Sequence, residues 1–290
     1  MATTIAFAGS RLDRADHVRS DPERLAALSA KGARLLRLDG LMPLLDENGA
    51  LQWDTLPETG GGAEMVFLGL VDGRAMFAAV PETGDTAPAY AIRDVWQLLN
   101  RMSPDDLAAY GGARSLIDWH ARHRFCARCG GGTRIAKGGW QRDCTRCEAP
   151  HFPRVDPVAI MLVEHEDRLL LARQTHWPAR RYSALAGFLE PGETIEEAVA
   201  REVLEESGIR VRDVRYVANQ PWPFPSQLMI GCHAFADNTD LVIDTTELEE
   251  AHWFTREEIT AAMAGDENGR LLTPPSVAIA YQLLKWWLEQ

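Results

Sequence analysis

Four cysteines within twenty-two residues constrain this chain more tightly than any other feature: Cys126 and Cys129, fourteen intervening residues, then Cys144 and Cys147. Two CxxC pairs so spaced match the ligand set of tetrahedral Zn²⁺, because each tight turn presents two thiolates without strain. Gly130, Gly131, Gly132, Gly138 and Gly139 supply the turns of a small ribbon. Four thiolates fill the coordination sphere, so one Zn²⁺ per chain is expected, structural in role. A redox pair or unligated thiols are the competing readings. The opening residues lack a basic start followed by a sustained apolar core, which disfavours secretion and a disulfide framework. Cys232 lies in a strand-like run and is read as core.

Around this ribbon, at 122–152, the chain divides into a small α+β N-terminal domain, 1–121, and an α/β domain, 153–290. In the first, the apolar runs at 33–38, 64–70 and 75–80 read as strands, separated by turn signals at Asn48-Gly49, Asp72-Gly73 and Gly60, Gly61 and Gly62. Ser103 opens a helical stretch with Pro104, Asp105 and Asp106 in its first turn. A second helical stretch around Leu116 leads into the cysteines. From Val155 strands and helices interleave: strands at 155–164 and 168–174 with a turn at 167–169, a helix at 195–207, strands around Val217 and Gly231, and a Trp-containing helix at the end. The net charge of −12 argues against an extended nucleic-acid groove while leaving room for a local phosphate pocket. No apolar run approaches the ~20 residues that span a bilayer.

The segment 187–209 carries the chemistry. Thr194 and Glu197 form a capping box, and Gly208 sits where a helix ends on a left-handed residue. At 100° per residue, Ile195, Val199 and Val203 make one apolar stripe. Glu206 falls inside that stripe, Glu202 at its edge and Glu205 further round. A solvated helix face tolerates such neighbours, but here the carboxylates border the face that packs on a sheet. Partly buried, with charges ~6 Å apart and an effective dielectric of about 20, each pair repels by roughly 3 kcal/mol. A compensating cation is therefore expected, and all-oxygen ligands favour Mg²⁺ or Mn²⁺. Arg201 and Glu193 can pair and fix the loop against the helix.

This segment resembles the Nudix box in full, from Gly187 through Glu193 to the run Arg201, Glu202, Val203, Leu204, Glu205, Glu206, Ser207, Gly208 and Ile209. The resemblance implies an α/β/α sandwich with a mixed sheet and hydrolysis of a nucleoside diphosphate linked to another moiety. Glu202, Glu205 and Glu206 match the family's metal-binding carboxylates, and Arg201 and Glu193 its orienting pair. Beyond the box lies Gln220-Pro221-Trp222-Pro223-Phe224-Pro225. Alternating prolines are expected to hold this stretch extended, its two aromatic faces outward for stacking on a planar ring. With the ribbon before the box, it resembles the NADH pyrophosphatase (NudC-like) subfamily, departing at Asn219 and Gln227, where serine is usual.

That resemblance implies cleavage of NAD(H) to nicotinamide mononucleotide and AMP, and removal of NAD caps from RNA 5′ ends. It implies a homodimer in which Phe188 and the partner's Trp222 sandwich the nicotinamide; the opening residues and the lack of a spanning run make the cytoplasm the expected compartment. Phe152, Gln220 and Ala278 match substrate-side positions, and Glu247 a further carboxylate that binds metal or activates water. Read alone, Glu247 belongs to a solvated acidic run and Ala278 to packing. Two competing readings stand: another Nudix substrate, such as ADP-ribose or a diadenosine polyphosphate, and a zinc-ribbon nucleic-acid module or ligand-sensing regulator. His165, His176 and His233 show no site spacing, and Trp286 and Trp287 read as packing or dimer surface.

Overall fold

The protein is seen in a computed structural model that describes residues 5–56, 62–85, 93–266 and 268–290, so Gly60 and Gly61 lie outside the described residues. Contacts divide the chain into two compact units: Phe7–Val155 with Pro221–Ser226, and Asp156–Gln220 with Gln227–Gln290 and the extreme N-terminus.

In the first unit the elements are α1 (Asp16–Arg19), α2 (Pro22–Ser29), β1 (Arg34–Leu36), β2 (Leu38–Asp39), β3 (Met42–Pro43), β4 (Trp53–Thr55), β5 (Met65–Val71), β6 (Arg74–Ala79), α3 (Arg93–Leu99) and α4 (Pro104–Arg122). The three apolar runs read as strands are β1, β5 and β6, in a sheet of order β4-β1-β6-β5 over a core that includes Val18, Ala33, Phe67 and Phe77. The two helical stretches expected after Ser103 are one helix of 19 residues, capped by the Ser103 side chain. Gly111 does not break it, because it serves close packing: a Cβ there would lie 2.9 Å from the Phe7 ring.

The ribbon follows as β7 (Thr133–Ala136), β8 (Gln141–Cys144) and β9 (Pro150–His151), an antiparallel three-stranded sheet. It is tied to the preceding segment by Arg142, which is 2% exposed. Its guanidinium donates to both Glu64 carboxylate oxygens at 2.8 and 2.9 Å, to Thr133 Oγ1 and to His120 Nδ1. His120 Nε2 in turn donates to the Gly139 carbonyl at 2.6 Å. Burial pushes the His120 pKa down to about 4, so the ring stays neutral and both nitrogens are used.

The second unit contains β10 (Asp156–His165), β11 (Arg168–Arg173), β12 (Leu185–Phe188), α5 (Ile195–Ser207), β13 (Val211–Trp222), β14 (Gln227–Ala236), β15 (Glu250–Thr255), α6 (Arg256–Met263) and α7 (Ile279–Leu288). The first turn falls on Glu166 and Asp167, so Arg168 and Leu169 already belong to β11. The six-stranded sheet has the order β13-β14-β10-β11-β15, with β12 also paired to β10. It is mixed, since β10 runs parallel to β14 and antiparallel to β11 and β12.

Strand alternation distributes the core. Ala159, Met161 and Val163 of β10 face Val199 and Val203 of α5, whereas Ile160 and Leu162 face Leu283 and Leu284 of α7. A central strand covered on both faces needs an unbroken apolar run, which is what 158–163 supplies. The result is an α/β/α sandwich. Cys232 lies in its core, fully buried, and Trp287 is buried against α6 and the sheet.

Leu283, fully buried between α7 and the sheet, reports on this packing. Leu283→Ala is expected to lower stability by about 2–5 kcal/mol, as large-to-small core changes do. Urea denaturation followed by circular dichroism measures it, and a loss under about 1 kcal/mol would contradict the packing described.

Candidate active site and metal centres

The inner stripe of α5 places its carboxylates. Thr194 caps the helix reciprocally with Glu197, and Gly208 closes it with φ of 72°, so the register of 195–207 is held at both ends. Ala198, Val199 and Val203 are sealed against the sheet and Glu206 continues their stripe at 6% exposure. One of its oxygens, Oε2, is buried with no hydrogen-bond partner. Burial first, then the charges of Glu202, Glu247, Asp244 and Glu205, push the Glu206 pKa up to about 8.

Arg201 organises the other members. It donates to Glu193 at 2.6 and 2.9 Å, to Glu202 at 2.8 Å, to Glu205 at 3.0 Å and to the Phe188 carbonyl at 3.0 Å. Glu193, which also accepts from the Glu190 amide, is held down to about 2, first by Arg201. The expected Arg201–Glu193 pair is thus present, and Arg201 also neutralises two of the three box glutamates. It makes no bond to Glu206. Gly187 shows why β12 approaches the helix so closely: a Cβ there would fall 1.9 Å from the Glu202 carboxyl carbon.

A residue missed in the sequence joins this cluster. Asp244 donates its amide to the Glu206 carbonyl at 3.0 Å, and its side chain is braced by the Thr246 amide and hydroxyl. The exposed Glu247 follows, its amide on the Asp244 carbonyl, and both acids act on the Glu206 charge. The acidic run 244–250 carried no spacing that singled Asp244 out, because the contact is made through a loop distant in sequence. The all-oxygen donor set and an orphaned buried carboxylate oxygen fit hard divalent cations.

The aromatic positions lie on different elements. Phe188 ends β12 with 53% of its surface exposed, and Phe152 in the first unit is exposed beyond β9. The proline-rich stretch is extended only in its first half, where Gln220, Pro221 and Trp222 end β13; Pro223, Phe224, Pro225 and Ser226 form the turn to β14. Phe224 is buried rather than outward, because it packs with Phe7, Trp96 and Trp222. Trp222 remains half-buried. Gln220 is fully buried and its amide is engaged, donating to the Val277 carbonyl and accepting from the Ile279 amide, both at 2.8 Å. These bonds bracket Ala278, the N-cap of α7.

In the ribbon, Cys126, Cys129, Cys144 and Cys147 converge with their Sγ atoms within 4.8 Å of one another; among the described residues only they gather three or more such donors so tightly. Separations of 3.5 and 3.7 Å exclude disulfides. The Cys144 thiol is pulled down to about 6, first by the Cys147 amide and then by the Arg146 amide. His151 lies 3.2 Å from the Cys126 sulfur.

Three families match the chain in series: the NADH pyrophosphatase-like rudimentary NUDIX domain over 22–119, the NADH pyrophosphatase zinc ribbon domain over 121–152 and the NUDIX domain over 153–273. The chain is 45% identical over 210 residues to the NAD-capped RNA hydrolase NUDT12 of Macaca fascicularis, covering 69% of this chain and 46% of that one. It thus spans about half the length of the NUDT12 relatives it matches. The NAD-capped RNA hydrolase NudC of Mycobacterium bovis is 39% identical over 291 residues, covering 95% of this chain and 92% of the relative. Among solved structures, a NUDIX hydrolase from Nitrosomonas europaea aligns with a TM-score of 0.47 at 27% identity, covering 57% of this chain and 90% of that one.

Two outcomes follow from this geometry. In buffer without added divalent ions, folded Glu206 keeps its proton to about pH 8, whereas the unfolded chain releases it near 4.5. The native state then binds more protons between those values, so stability falls as pH rises through that window. The melting temperature should decline from about pH 5 to about pH 8 and Glu206→Gln should remove that component; equal slopes in both proteins would contradict the buried carboxylate. Metal analysis should also find one zinc per chain, lost together with thermal stability in Cys129→Ser.

Proposed function

Because the chain belongs to the Nudix family, in its NudC-like NADH pyrophosphatase group, we propose that it hydrolyses the pyrophosphate of NAD(H) to nicotinamide mononucleotide and AMP. By the same chemistry it removes the NAD cap from RNA 5′ ends. The observation that carries this reading is the buried, unpartnered carboxylate of Glu206 amid Glu202, Glu205, Asp244 and Glu247. A ring of acids with one deep member is suited to a polyphosphate only through cations, and repels it otherwise.

Glu202, Glu205 and Glu206, with Glu247 beside them, would hold Mg²⁺ or Mn²⁺. Bound there, such ions supply positive charge to the pyrophosphate oxygens and acidify the attacking water. Arg201, bonded to Glu193, Glu202 and Glu205, holds the loop against α5. Water attacks one phosphorus in line, the bridging P–O bond breaks, and the other phosphate leaves as the mononucleotide.

On the recognition side, the exposed Phe188 ring offers one face to the nicotinamide and Trp222 of the partner subunit the other. Phe152 is a further exposed ring for this role. Gln220 acts at one remove, by fixing Ala278 at the head of α7. The working form is a cytoplasmic homodimer. No helix among the described residues is long and apolar enough to cross a membrane.

Incubation of the zinc-loaded protein with NADH, with and without Mn²⁺ or Mg²⁺, should yield reduced nicotinamide mononucleotide and AMP only when the divalent ion is present. Glu206→Gln should lower kcat by about two orders of magnitude or more while the circular dichroism spectrum is unchanged. Undiminished turnover in that variant, or no cleavage by the wild type, would overturn the assignment and favour the regulator reading.

A further inference from the structure

The proline-rich turn carries the indole proposed to read the nicotinamide ring; Phe224 of that turn meets Trp222, and further residues set how it is presented. The residues that do so lie far away in the chain, and Pro221–Ser226 packs with the N-terminal unit. Trp222 lies against Trp96, with ring centres 5.6 Å apart and planes 34° from parallel. It meets Phe7 and Phe224 edge-on at 5.9 and 5.5 Å. The Phe224 ring is covered by the guanidinium of Arg114, 4.6 Å from its centre.

Arg114 lies in the middle of α4 and is 1% exposed. Its Nη1 donates to the Pro223 carbonyl at 2.5 Å and its Nη2 is ion-paired with Asp85, leaving Nε without a partner. Asp85 is itself anchored, its amide donating to the fully buried Asp118 at 2.7 Å. Three demands are met at once: an in-plane bond to the turn backbone, an in-plane bond to an acid, and a flat cationic face on an aromatic ring. Among basic side chains only a planar guanidinium satisfies all three, since an ammonium is a point donor with no face. Mere filling of a core position would not call for an arginine, because burying its charge is costly unless the bonds it makes are needed.

We propose that Arg114 is a positioning residue for substrate recognition: it holds the turn at Pro223 and Phe224 and so sets the plane in which Trp222 meets the pyridine ring. The N-terminal α+β segment then has a specific task. It is the mount of the aromatic turn. This inference rests on the NAD(H) reading and adds to it the element that confers preference for a ring-bearing dinucleotide.

The test compares NADH with ADP-ribose, which has the same pyrophosphate and no pyridine ring, for the wild type, Arg114→Lys, Trp222→Ala and the double variant. Arg114→Lys is expected to raise KM for NADH about tenfold with kcat within about twofold, as loss of a stacking contact does. KM for ADP-ribose should stay within about twofold, because that substrate does not use the ring. The double variant should be no worse than Trp222→Ala alone, since both changes remove one interaction.

Equal losses on the two substrates, full additivity with Trp222→Ala, or an unchanged KM for NADH would each overturn the proposal. Should Arg114→Lys fail to fold, Phe224→Leu, which keeps an apolar side chain but removes the ring face, must show the same split. Failure of the wild type to cleave NADH would overturn the substrate reading and this inference together; a wild type that cleaves it and an Arg114→Lys that matches it would overturn this inference alone.

Discussion

The site depends on a carboxylate buried where the fold would otherwise place an apolar side chain. The inner stripe of α5 must cover the sheet, and Ala198, Val199 and Val203 do so. Glu206 occupies the next place in that stripe with one oxygen unpartnered. Desolvation and four acidic neighbours together hold its proton on to about pH 8. Stability is thereby traded for a strong local demand for positive charge, which a divalent cation meets and a monovalent side chain from α5 does not. Asp244 and Glu247 strengthen that demand from a loop tied to the end of the helix.

Arginines recur as the organising nodes. Arg201 connects the loop at Glu193, the strand end at Phe188 and two carboxylates of its own helix. Arg142 ties the ribbon to Glu64 and His120. Arg114 ties α4 to the aromatic turn. In each place a planar fork makes several bonds to groups distant in sequence, which a lysine would not do. The acidic balance of the chain as a whole therefore conceals a few cations placed at the joints between elements.

Some of this was legible in the residues alone. α5 was readable from end to end because its capping box, left-handed glycine and apolar period are all local signals, and the structure has the helix at the expected residues. The cysteine cluster was readable because coordination geometry dictates spacing. β10 was readable as a strand because burial on both faces leaves a continuous apolar run. The errors have equally definite causes. Two helical stretches are expected where α4 is one continuous helix of 19 residues, in which Gly111 makes room for the Phe7 ring. The prolines suggest an extended run over 220–225; 220–222 do end β13 extended, whereas the chain turns at 223–226 and Phe224 packs with Phe7 and Trp96. That the Gln220 amide bonds the backbone on either side of Ala278 has no signal in the sequence.

By itself the sequence determined the chemistry available: which helix carries the acids, which thiols gather, and that the carboxylates border an apolar face. Those follow from periodicity and spacing, which act over a few residues. The tertiary structure decided which acid is deep, which are neutralised by Arg201, that Asp244 joins them, and that the aromatic turn is held by Arg114 of α4. Each of these is set by burial and by partners distant along the chain, and desolvation depends on the whole surroundings of a group rather than on its neighbours in sequence.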